Sequence, residues 1–255
     1  MAILGVDPAW TSTNPSGVAL LSTDGKLIAF APSYRAFKET INGEDVDWYR
    51  PAKADGTIQA ALEAAEKAAK PDLITIVSVD MPVSKLKITN RRAADNKVSE
   101  VFGGRWCGTH SPNQKCPGPV SENFSKIMTE HKFSLATKKP LAGKSYMEVY
   151  PHTALLRLMK SEKRLPYKQS KRSIYWPDLS TAERRQKLER QWRQIVSALE
   201  KKVGPINIPI NDRVSLKAVE DALDAIICAW VGYEYANGRA ESLGDDNSAI
   251  WTPIL

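Results

Sequence analysis

Acidic side chains occur in this sequence at positions where a purely structural protein would carry apolar ones. Asp7 and Asp80 each end a short apolar stretch typical of a buried strand, and Glu148 lies within a third such stretch. Burying a carboxylate in such a place costs desolvation free energy unless a positive charge compensates it. We therefore interpret these acids as candidates for catalysis or metal binding, with simple capping of strand ends as the alternative.

Two further acids occur in the motif DALDA, within the most apolar helical segment of the chain. Asp221 and Asp224 are three residues apart, so they lie on one face of a helix. At about 100° per residue, Asp224 falls at the edge of the apolar stripe, Asp221 lies farther round and Glu220 lies nearer. Asp224 is predicted to be the best placed to meet the strand acids, with Asp221 second and Glu220 a competitor. The alternative is an ordinary pair of surface charges.

The chemistry of these acids favours a hard divalent cation. The carboxyl ends of neighbouring parallel strands meet at one edge of a sheet, where ligand and metal sites of α/β proteins gather. Carboxylates brought together there repel one another, and a cation such as Mg²⁺ or Mn²⁺ removes that repulsion. The sequence thus predicts a metal site formed by Asp7, Asp80, Asp221 and Asp224.

The elements needed to position these acids can be predicted from hydrophobic periodicity. We expect an α/β fold with a mixed sheet, in which a three-stranded meander is followed by two parallel strands and helices flank both. The predicted strands are Ile3 to Asp7, Gly17 to Ser22, Lys26 to Ala31, Leu73 to Val79 and Ser145 to Val149. The predicted helices are Thr57 to Ala69, Arg91 to Phe102, His152 to Met159, Thr181 to Lys202 and Ser215 to Tyr235.

The domain organisation follows from length and local composition. A chain of 255 residues suits one main domain covering residues 1–255. Residues 103–143 are poor in periodicity and rich in Gly, Pro, Ser and Lys, which indicates a long loop insertion. Residues 160–202 read as a basic helical insertion.

Composition excludes several protein classes. Hydrophobic residues make up 42% and charged residues 25%, which is typical of a globular domain and excludes wholesale disorder. The mean hydropathy is -0.36 and charges interrupt every long apolar stretch, so we expect no membrane association. The N-terminus lacks a signal-peptide pattern, and three cysteines do not suit a disulfide scaffold. These features predict a cytoplasmic protein, while its oligomeric state cannot be read.

The net charge of +7 is concentrated in one segment. Residues 160–202 hold 13 basic and 5 acidic residues, a local charge of +8, so the rest of the chain carries −1. A basic segment beside a neutral body is typical of a protein that binds a polyanion, and nucleic acid is the predicted partner. The alternative is a solvated helix that happens to be basic.

Individual residues of this kind are candidates for substrate contact. Lys168, in the stretch YKQSKR with Lys171 and Arg172, could contact a phosphate near the metals, or could be an ordinary surface lysine. Arg91 and Arg92 could orient substrate, or could begin a capped helix.

The tryptophans of the basic and insertion segments could stack on bases. Trp106 is the better candidate for stacking, since Trp192 has the spacing of a core residue.

A zinc site is the weaker interpretation of the cysteine and histidine cluster. Cys107, His110 and Cys116 lack a convincing fourth ligand, although His131 could supply one. Structural zinc sites require four ligands, so we expect free thiols in a loop.

The motifs resemble those of known families. The opening ILGVDP, followed by Gly17 to Leu20, resembles the start of the RNase H-like superfamily, in particular RuvC-type resolvases, where the first-strand Asp is a metal ligand. DALDA resembles the paired aspartates of the RuvC C-terminal helix. A closer resemblance is to a domain family of unknown function whose members are predicted RNase H-fold nucleases. The shared motifs are IVSVDMP, RRAAD, MEVYP, YK and DALDAIICA, in this order along nearly the whole chain.

This resemblance implies a nuclease that hydrolyses phosphodiester bonds with two Mg²⁺ or Mn²⁺ ions sharing Asp7. Pro8-Ala9-Trp10 departs from the usual RuvC Gly after Pro, and Asp80 replaces the usual Glu, so a four-way junction is not implied as the substrate.

Two alternatives of other classes remain. Actin-like and sugar-kinase ATPases share this fold, and Thr11 to Ser16 could hold a phosphate, but no Gly-rich adenosine loop is present in the sequence. The other alternative is a catalytically silent nucleic-acid-binding module.

Overall fold

The structure is a computed structural model that describes residues 1–11, 14–50, 56–138 and 142–254. Within these residues a mixed sheet of eight strands forms the centre of the fold. The strands are β1 (Ala2–Asp7), β2 (Gly17–Leu21), β3 (Leu27–Ala31), β4 (Ile74–Val79), β5 (Ser134–Leu135), β6 (Ser145–Val149), β7 (Ala240–Gly244) and β8 (Ala249–Pro253).

Helices cover both faces of this sheet. They are α1 (Tyr34–Ile41), α2 (Ile58–Ala69), α3 (Ala93–Phe102), α4 (Gly118–Glu130), α5 (Pro151–Leu158), the single turn α6 (Arg172–Tyr175), α7 (Thr181–Val203) and α8 (Leu216–Ala236).

The strand order is β3-β2-β1-β4-β6-β8-β7, with β5 paired beside the start of β6. β1, β2 and β3 form the predicted antiparallel meander, and β4 and β6 run parallel to β1. The predicted fold class is therefore confirmed, and the arrangement is consistent with an RNase H-like α/β fold. β8 continues the parallel order beside β6, and β7 closes the sheet as an antiparallel edge.

Alternating residues of the central strands pack into two separate hydrophobic cores, one on each face of the sheet. Leu4 and Val6 of β1 pack with α1, α2 and α4 on one face. Ile3 of the same strand packs with α5, α7 and α8 on the other face. A strand buried on both faces must be apolar throughout, which explains the continuous apolar run of β1. Asp7 is where this run stops.

Helix α8 lies unusually close to the sheet because small residues face each other across the contact. A Cβ atom at Gly5 of β1 would lie 2.2 Å from the carbonyl oxygen of Ala225 and 2.7 Å from the Cβ of Ala229. Gly232, one turn farther along, lies against Ile3 and Ser78 in the same way. The predicted stripe of large apolar residues therefore accounts for only one buried side of α8. The side that carries the small residues is also buried, against the sheet.

The segment 103–143 differs from the loop predicted for it. It contains α4 and β5, and Phe124, Ile127 and Met128 of α4 are buried in the core on the α2 face. The prediction failed because the Gly-Pro beginning of α4 and its Ser, Asn and Lys residues mask the apolar spacing. Residues 139–141 of this segment lie outside the described part.

The basic segment 160–202 is helical for about half its length, as predicted. α7 packs Leu188, Trp192, Ile195 and Leu199 into the core beside α8, so this segment is also part of the main core. Among the described residues, no helix combines the length and apolar character needed to cross a bilayer.

Candidate functional site

Three parallel strands bring their acids to one edge of the sheet. Val6 of β1 is in register with Val79 of β4, and Val79 is in register with Glu148 of β6. The amide of Asp80 continues this pairing, donating to the Val6 carbonyl at 3.0 Å. Asp7, Asp80 and Glu148 therefore all line one cavity of about 320 Å³ beyond the strand ends.

The close packing of α8 adds a second group of acids to this edge. A Cβ atom at Gly17 would lie 2.0 Å from the carbonyl oxygen of Asp221, so α8 rests directly on the start of β2, where Gly17 pairs with Asp7. Asp224 is completely inaccessible and Asp221 is 1% exposed. Glu220 lines the cavity itself. Glu220, which the sequence placed as a competitor of Asp224 and Asp221, is thus the one of these three helix acids that lines the cavity.

Two lysines compensate the helix acids. Lys168 donates from Nζ to Asp224 Oδ2 and lies 4.0 Å from Glu220 Oε1. Lys217 donates from Nζ to Asp221 Oδ1, one helical turn away in sequence. Burial alone would lower the pKa of Lys168, but the charges of Asp224, Tyr167, Glu220 and Asp7 together outweigh it and hold the pKa well above its usual value. Both lysines are therefore charged at neutral pH.

A buried scaffold from α7 fixes Lys168. Trp192 donates from Nε1 to the carbonyl of Tyr167 at 2.8 Å, and the Tyr167 hydroxyl donates to Asp224 Oδ1 at 2.8 Å. The backbone amide of Gln169 donates to Glu220 Oε2. Trp192 is thus a core residue, as predicted. Through its bond to Tyr167 it holds residues 167–169 against α8.

Lys168 and Lys217 do not neutralise all the carboxylates near them, which are those of Asp7, Asp80, Glu220, Asp221 and Asp224. Burial raises the pKa of Asp7 to about 7, with the charge of Asp224 adding to the rise and that of Lys168 opposing it. Burial and the charge of Asp7 together raise the pKa of Asp80 and of Asp221 well above the usual range. The cluster therefore retains excess negative charge that a cation or protons must balance.

The donor set suits a hard divalent cation, although its side chains are not gathered around a single point. Within residues 1–11, 14–50, 56–138 and 142–254, no three Asp, Glu, His or Cys side chains are close enough to share one ion. Asp221 Oδ2 is buried without a hydrogen-bond partner. An all-oxygen cluster with an orphaned carboxylate oxygen and excess negative charge fits Mg²⁺ or Mn²⁺, which would compete with Lys168 and Lys217 for the helix acids.

Arg92 is not available to orient substrate, contrary to the sequence prediction. Its guanidinium is buried and donates to Glu148 Oε1 at 2.8 Å and Oε2 at 2.5 Å. It also donates to both oxygens of Asp95 and to the carbonyl of Val83. Arg92 therefore holds Glu148 in place, and the capped helix start was the correct interpretation.

Arg91 is also engaged within the protein. Its guanidinium donates to Asn96, to Ser99 and Ser111, and to the carbonyls of Asp95 and Thr109. These bonds tie α3 to the loop beyond it, so Arg91 has a positioning role and does not project a free charge toward substrate.

The remaining predicted contact residues lie at the surface. Lys171 is exposed and lines the cavity mouth, and Arg172 is half-buried with Nε donating to the carbonyl of Gln169. Trp106 is 64% exposed, with Lys163 Nζ 4.4 Å from its ring centroid. Lys171 and Trp106 are therefore both accessible from solvent.

The cysteine and histidine cluster is not brought together. Cys107 is fully buried, with its sulfur 4.0 Å from the carbonyl oxygen of His152, and burial raises the pKa of its thiol to about 11. Within the described part of the chain, no group of three potential ligands includes it. All three cysteines are free thiols, as expected.

Sequence reasoning missed several residues of the site. Lys217 was overlooked, although its spacing of four from Asp221 on a helix was a visible signal. Tyr167 and His152 carry no such signal, because their positions depend on how α5 and α7 pack. The loop Thr11 to Ser16, considered as a phosphate holder, lies partly outside the described residues at positions 12 and 13.

Comparison with known proteins places the chain in a family. Residues 5–249 match the model of the family described as "Protein of unknown function (DUF429)", and the protein belongs to this family. No curated protein matches the chain. No solved structure matches it either.

Proposed function

We propose that the protein is a metal-dependent nuclease of the RNase H-like superfamily that hydrolyses phosphodiester bonds. The observation that carries the proposal is the convergence of acids from two strands and one helix: Asp7 and Asp80 line one cavity, and the buried Asp221 and Asp224 lie close enough to Asp7 for their charges to interact. Purely structural acids have no reason to be gathered from separate elements at such a cost in desolvation.

The four acids of this cluster would together hold the metal ions. Asp7 and Asp80 face the cavity, and Asp221 has an oxygen without a partner, so these would bind the ions together with Asp224. Bound Mg²⁺ or Mn²⁺ supplies an activated water and stabilises the charge of the leaving oxygen. Lys168 lines the same cavity and would contact the phosphate there.

Glu148 lines the same cavity, but its carboxylate is engaged by neighbouring groups of the protein. Its carboxylate accepts the Val83 amide at 3.0 Å and the Arg92 guanidinium, so it fixes the loop that follows Asp80. We assign Glu148 a positioning role, since both of its oxygens are already engaged.

The substrate we propose is nucleic acid, because basic residues surround the acidic site. Lys168, Lys171, Lys217 and Arg164 line the same cavity, and Lys187, Arg190, Lys201 and Lys202 are exposed along α7. The basic residues would bind the phosphates of a nucleic acid, while the acidic site would hold the metal ions at the phosphate that is cleaved. The three free thiols agree with the reducing cytoplasm that we propose as its location.

A panel of labelled nucleic acids tests the proposal. Single- and double-stranded DNA and RNA, a hybrid and a four-way junction are incubated with Mg²⁺ or Mn²⁺ and resolved on a gel, with ATP hydrolysis measured in parallel. We expect cleavage of at least one substrate, its loss in EDTA and in Asp7→Asn, and its retention in the exposed control Asp45→Asn. Absence of cleavage across the panel, or equal cleavage by Asp7→Asn, contradicts the proposal. ATP consumption in its place favours the phosphotransferase class.

A further inference from the structure

One wall of the cavity carries polar side-chain atoms that lack hydrogen-bond partners. Thr109, His152 and Arg164 all line the cavity. Thr109 Oγ1, His152 Nδ1 and Arg164 Nε are shielded from water, and none has a hydrogen-bond partner among the described residues. A single buried unsatisfied polar atom costs about 1–3 kcal/mol, so three on one wall indicate a missing ligand.

The electrostatics of this wall favour an anion. Burial, with the positive charges of Arg164, Lys168 and His110, holds the pKa of His152 well below its usual value, so its ring is neutral at pH 7. Arg164 and Lys168 add positive charge near His152, and this charge favours a bound anion. His152 is also at the start of α5, where the helix dipole contributes further positive charge.

The wall is held rigidly, as a binding site requires. His152 is 3% exposed, and its ring lies between those of Tyr150 and Tyr167, with centroids 5.2 and 5.0 Å away. Arg91 donates to the carbonyl of Thr109 at 3.4 Å, and the backbone amide of Arg164 donates to the carbonyl of Arg105 at 2.9 Å. The ring of His152 and the backbones of Thr109 and Arg164 are therefore each held by a separate contact.

From this geometry we infer that Thr109, His152 and Arg164 form a binding pocket for a phosphate group of the substrate, other than the one that is cleaved. Arg164 offers only donors, and the hydroxyl and the neutral imidazole can each donate as well, which matches the several acceptor oxygens of a phosphate. The inference rests on the proposed function in taking this phosphate to belong to nucleic acid. The phosphate is either a terminal monoester or an internal diester, which share this chemistry.

Binding of inorganic phosphate to the metal-free protein tests the pocket independently of cleavage. Calorimetry in EDTA is expected to show that Arg164→Gln and Thr109→Val each weaken phosphate binding by about 10-fold or more. Lys163→Gln is the matched control, because it removes the same charge one residue away, above the ring of Trp106. We expect less than about a 3-fold effect from it, as for an exposed charge. Urea unfolding confirms that each variant is folded, and Thr109→Val keeps the shape of the side chain.

Cleavage kinetics then identify the source of the phosphate. Two oligonucleotides that differ only in a 5′-terminal phosphate are compared in the wild type and in Arg164→Gln. If the wild type has a lower KM for the phosphorylated one and Arg164→Gln loses that preference, the pocket binds a terminal monoester. If Arg164→Gln raises KM equally for both, it binds an internal diester.

Other results overturn one inference or the other. Wild-type protein that does not bind phosphate, or an equal loss in Lys163→Gln, removes the pocket while leaving the nuclease proposal intact. Phosphate binding that depends on Arg164 in a protein that cleaves nothing retains an oxyanion pocket and refutes the nuclease.

Discussion

Gly17 at the start of β2 lies directly against the backbone carbonyl of Asp221 in α8, with no room for a side chain between them. Because Gly17 is also paired with Asp7 across the sheet, this contact determines how closely the helix acids approach the strand acids. The catalytic cluster that we propose is therefore built on a close approach of two backbones.

Replacing Gly17 with alanine tests this relationship. A Cβ atom 2.0 Å from the Asp221 oxygen forces α8 away from β2. We expect the free energy of unfolding to fall by about 3 kcal/mol, as for severe overpacking, with loss of Mn²⁺ binding. Gly104→Ala, where a Cβ meets nothing within 4 Å, serves as the control in urea titrations and is expected to be nearly neutral.

Asp7→Asn is expected to stabilise the metal-free protein at high pH. The pKa of Asp7 is about 7 in the folded protein and about 3.9 in an unfolded chain, so the folded state binds the proton more tightly. Its contribution to stability is complete below pH 4 and is lost as the pH rises through 7. Asparagine does not ionise, and urea titrations in EDTA should show the variant more stable by about 1–3 kcal/mol at pH 8. Equal stability of the two proteins at pH 8 would argue against a shared cluster of charge.

Added Mn²⁺ should reverse this order. A cation that binds only the folded protein stabilises it by RT ln(1 + c/Kd) at a cation concentration c, so the melting temperature rises with that concentration. We expect a clear rise for the wild type at millimolar Mn²⁺ and at most a small one for Asp7→Asn, measured by calorimetry and thermal unfolding. An unchanged Mn²⁺ affinity in Asp7→Asn would remove this residue from the metal site.

Lys168→Met should destabilise the metal-free protein by leaving Asp224 buried without its ion pair. Breaking a buried pair in this way costs about 3–5 kcal/mol, and we expect about 3 kcal/mol at pH 8 because Lys168 is partly exposed. Adding Asp224→Asn removes the orphaned charge, so the double variant should recover part of the loss. If the two single changes prove additive, Lys168 and Asp224 do not interact in solution.

Arg92→Met is expected to act on folding and leave nucleic-acid affinity unaffected. It leaves Glu148 and Asp95 buried without their partner, at a cost of about 3–5 kcal/mol. Arg92→Lys should fail to restore stability, since one ammonium cannot reproduce the bonds to both carboxylates. Protein that remains folded at low temperature should bind nucleic acid as the wild type does; weaker binding would return Arg92 to the substrate surface.

Two groups of basic residues in the segment 160–202 should respond differently to charge removal. Lys171, Lys187 and Arg190 are exposed, and each change to Gln should reduce the slope of log affinity against log salt by up to about 0.9 for duplex DNA. Arg185 instead donates to Glu189 and to the carbonyls of Asn211 and Val214, so Arg185→Gln should lower stability with less change in slope. An unchanged slope in the triple variant would make the segment a solvated face.

Local signals in the sequence were enough to predict the meander, the parallel strands and the main helices, because each has a strong local period and the strands are buried on both faces. The same signals made Asp7, Asp80, Asp221 and Asp224 candidates, since a carboxylate that ends or interrupts an apolar run is visible without a structure. Helix α4 and the edge hairpin of β7 and β8 lacked such a signal, and their stability comes from packing on the sheet.

The partners that neutralise these acids, and the basic residues that stay free, depend on how the elements pack. The pairing of Lys168 with Asp224, of Arg92 with Glu148, and the unpartnered wall of Thr109, His152 and Arg164 each join residues far apart in the chain. A charge in a sequence has the same appearance whether it faces solvent or a buried partner. Its role is set by desolvation and distance, which exist only once the helices have packed against the sheet.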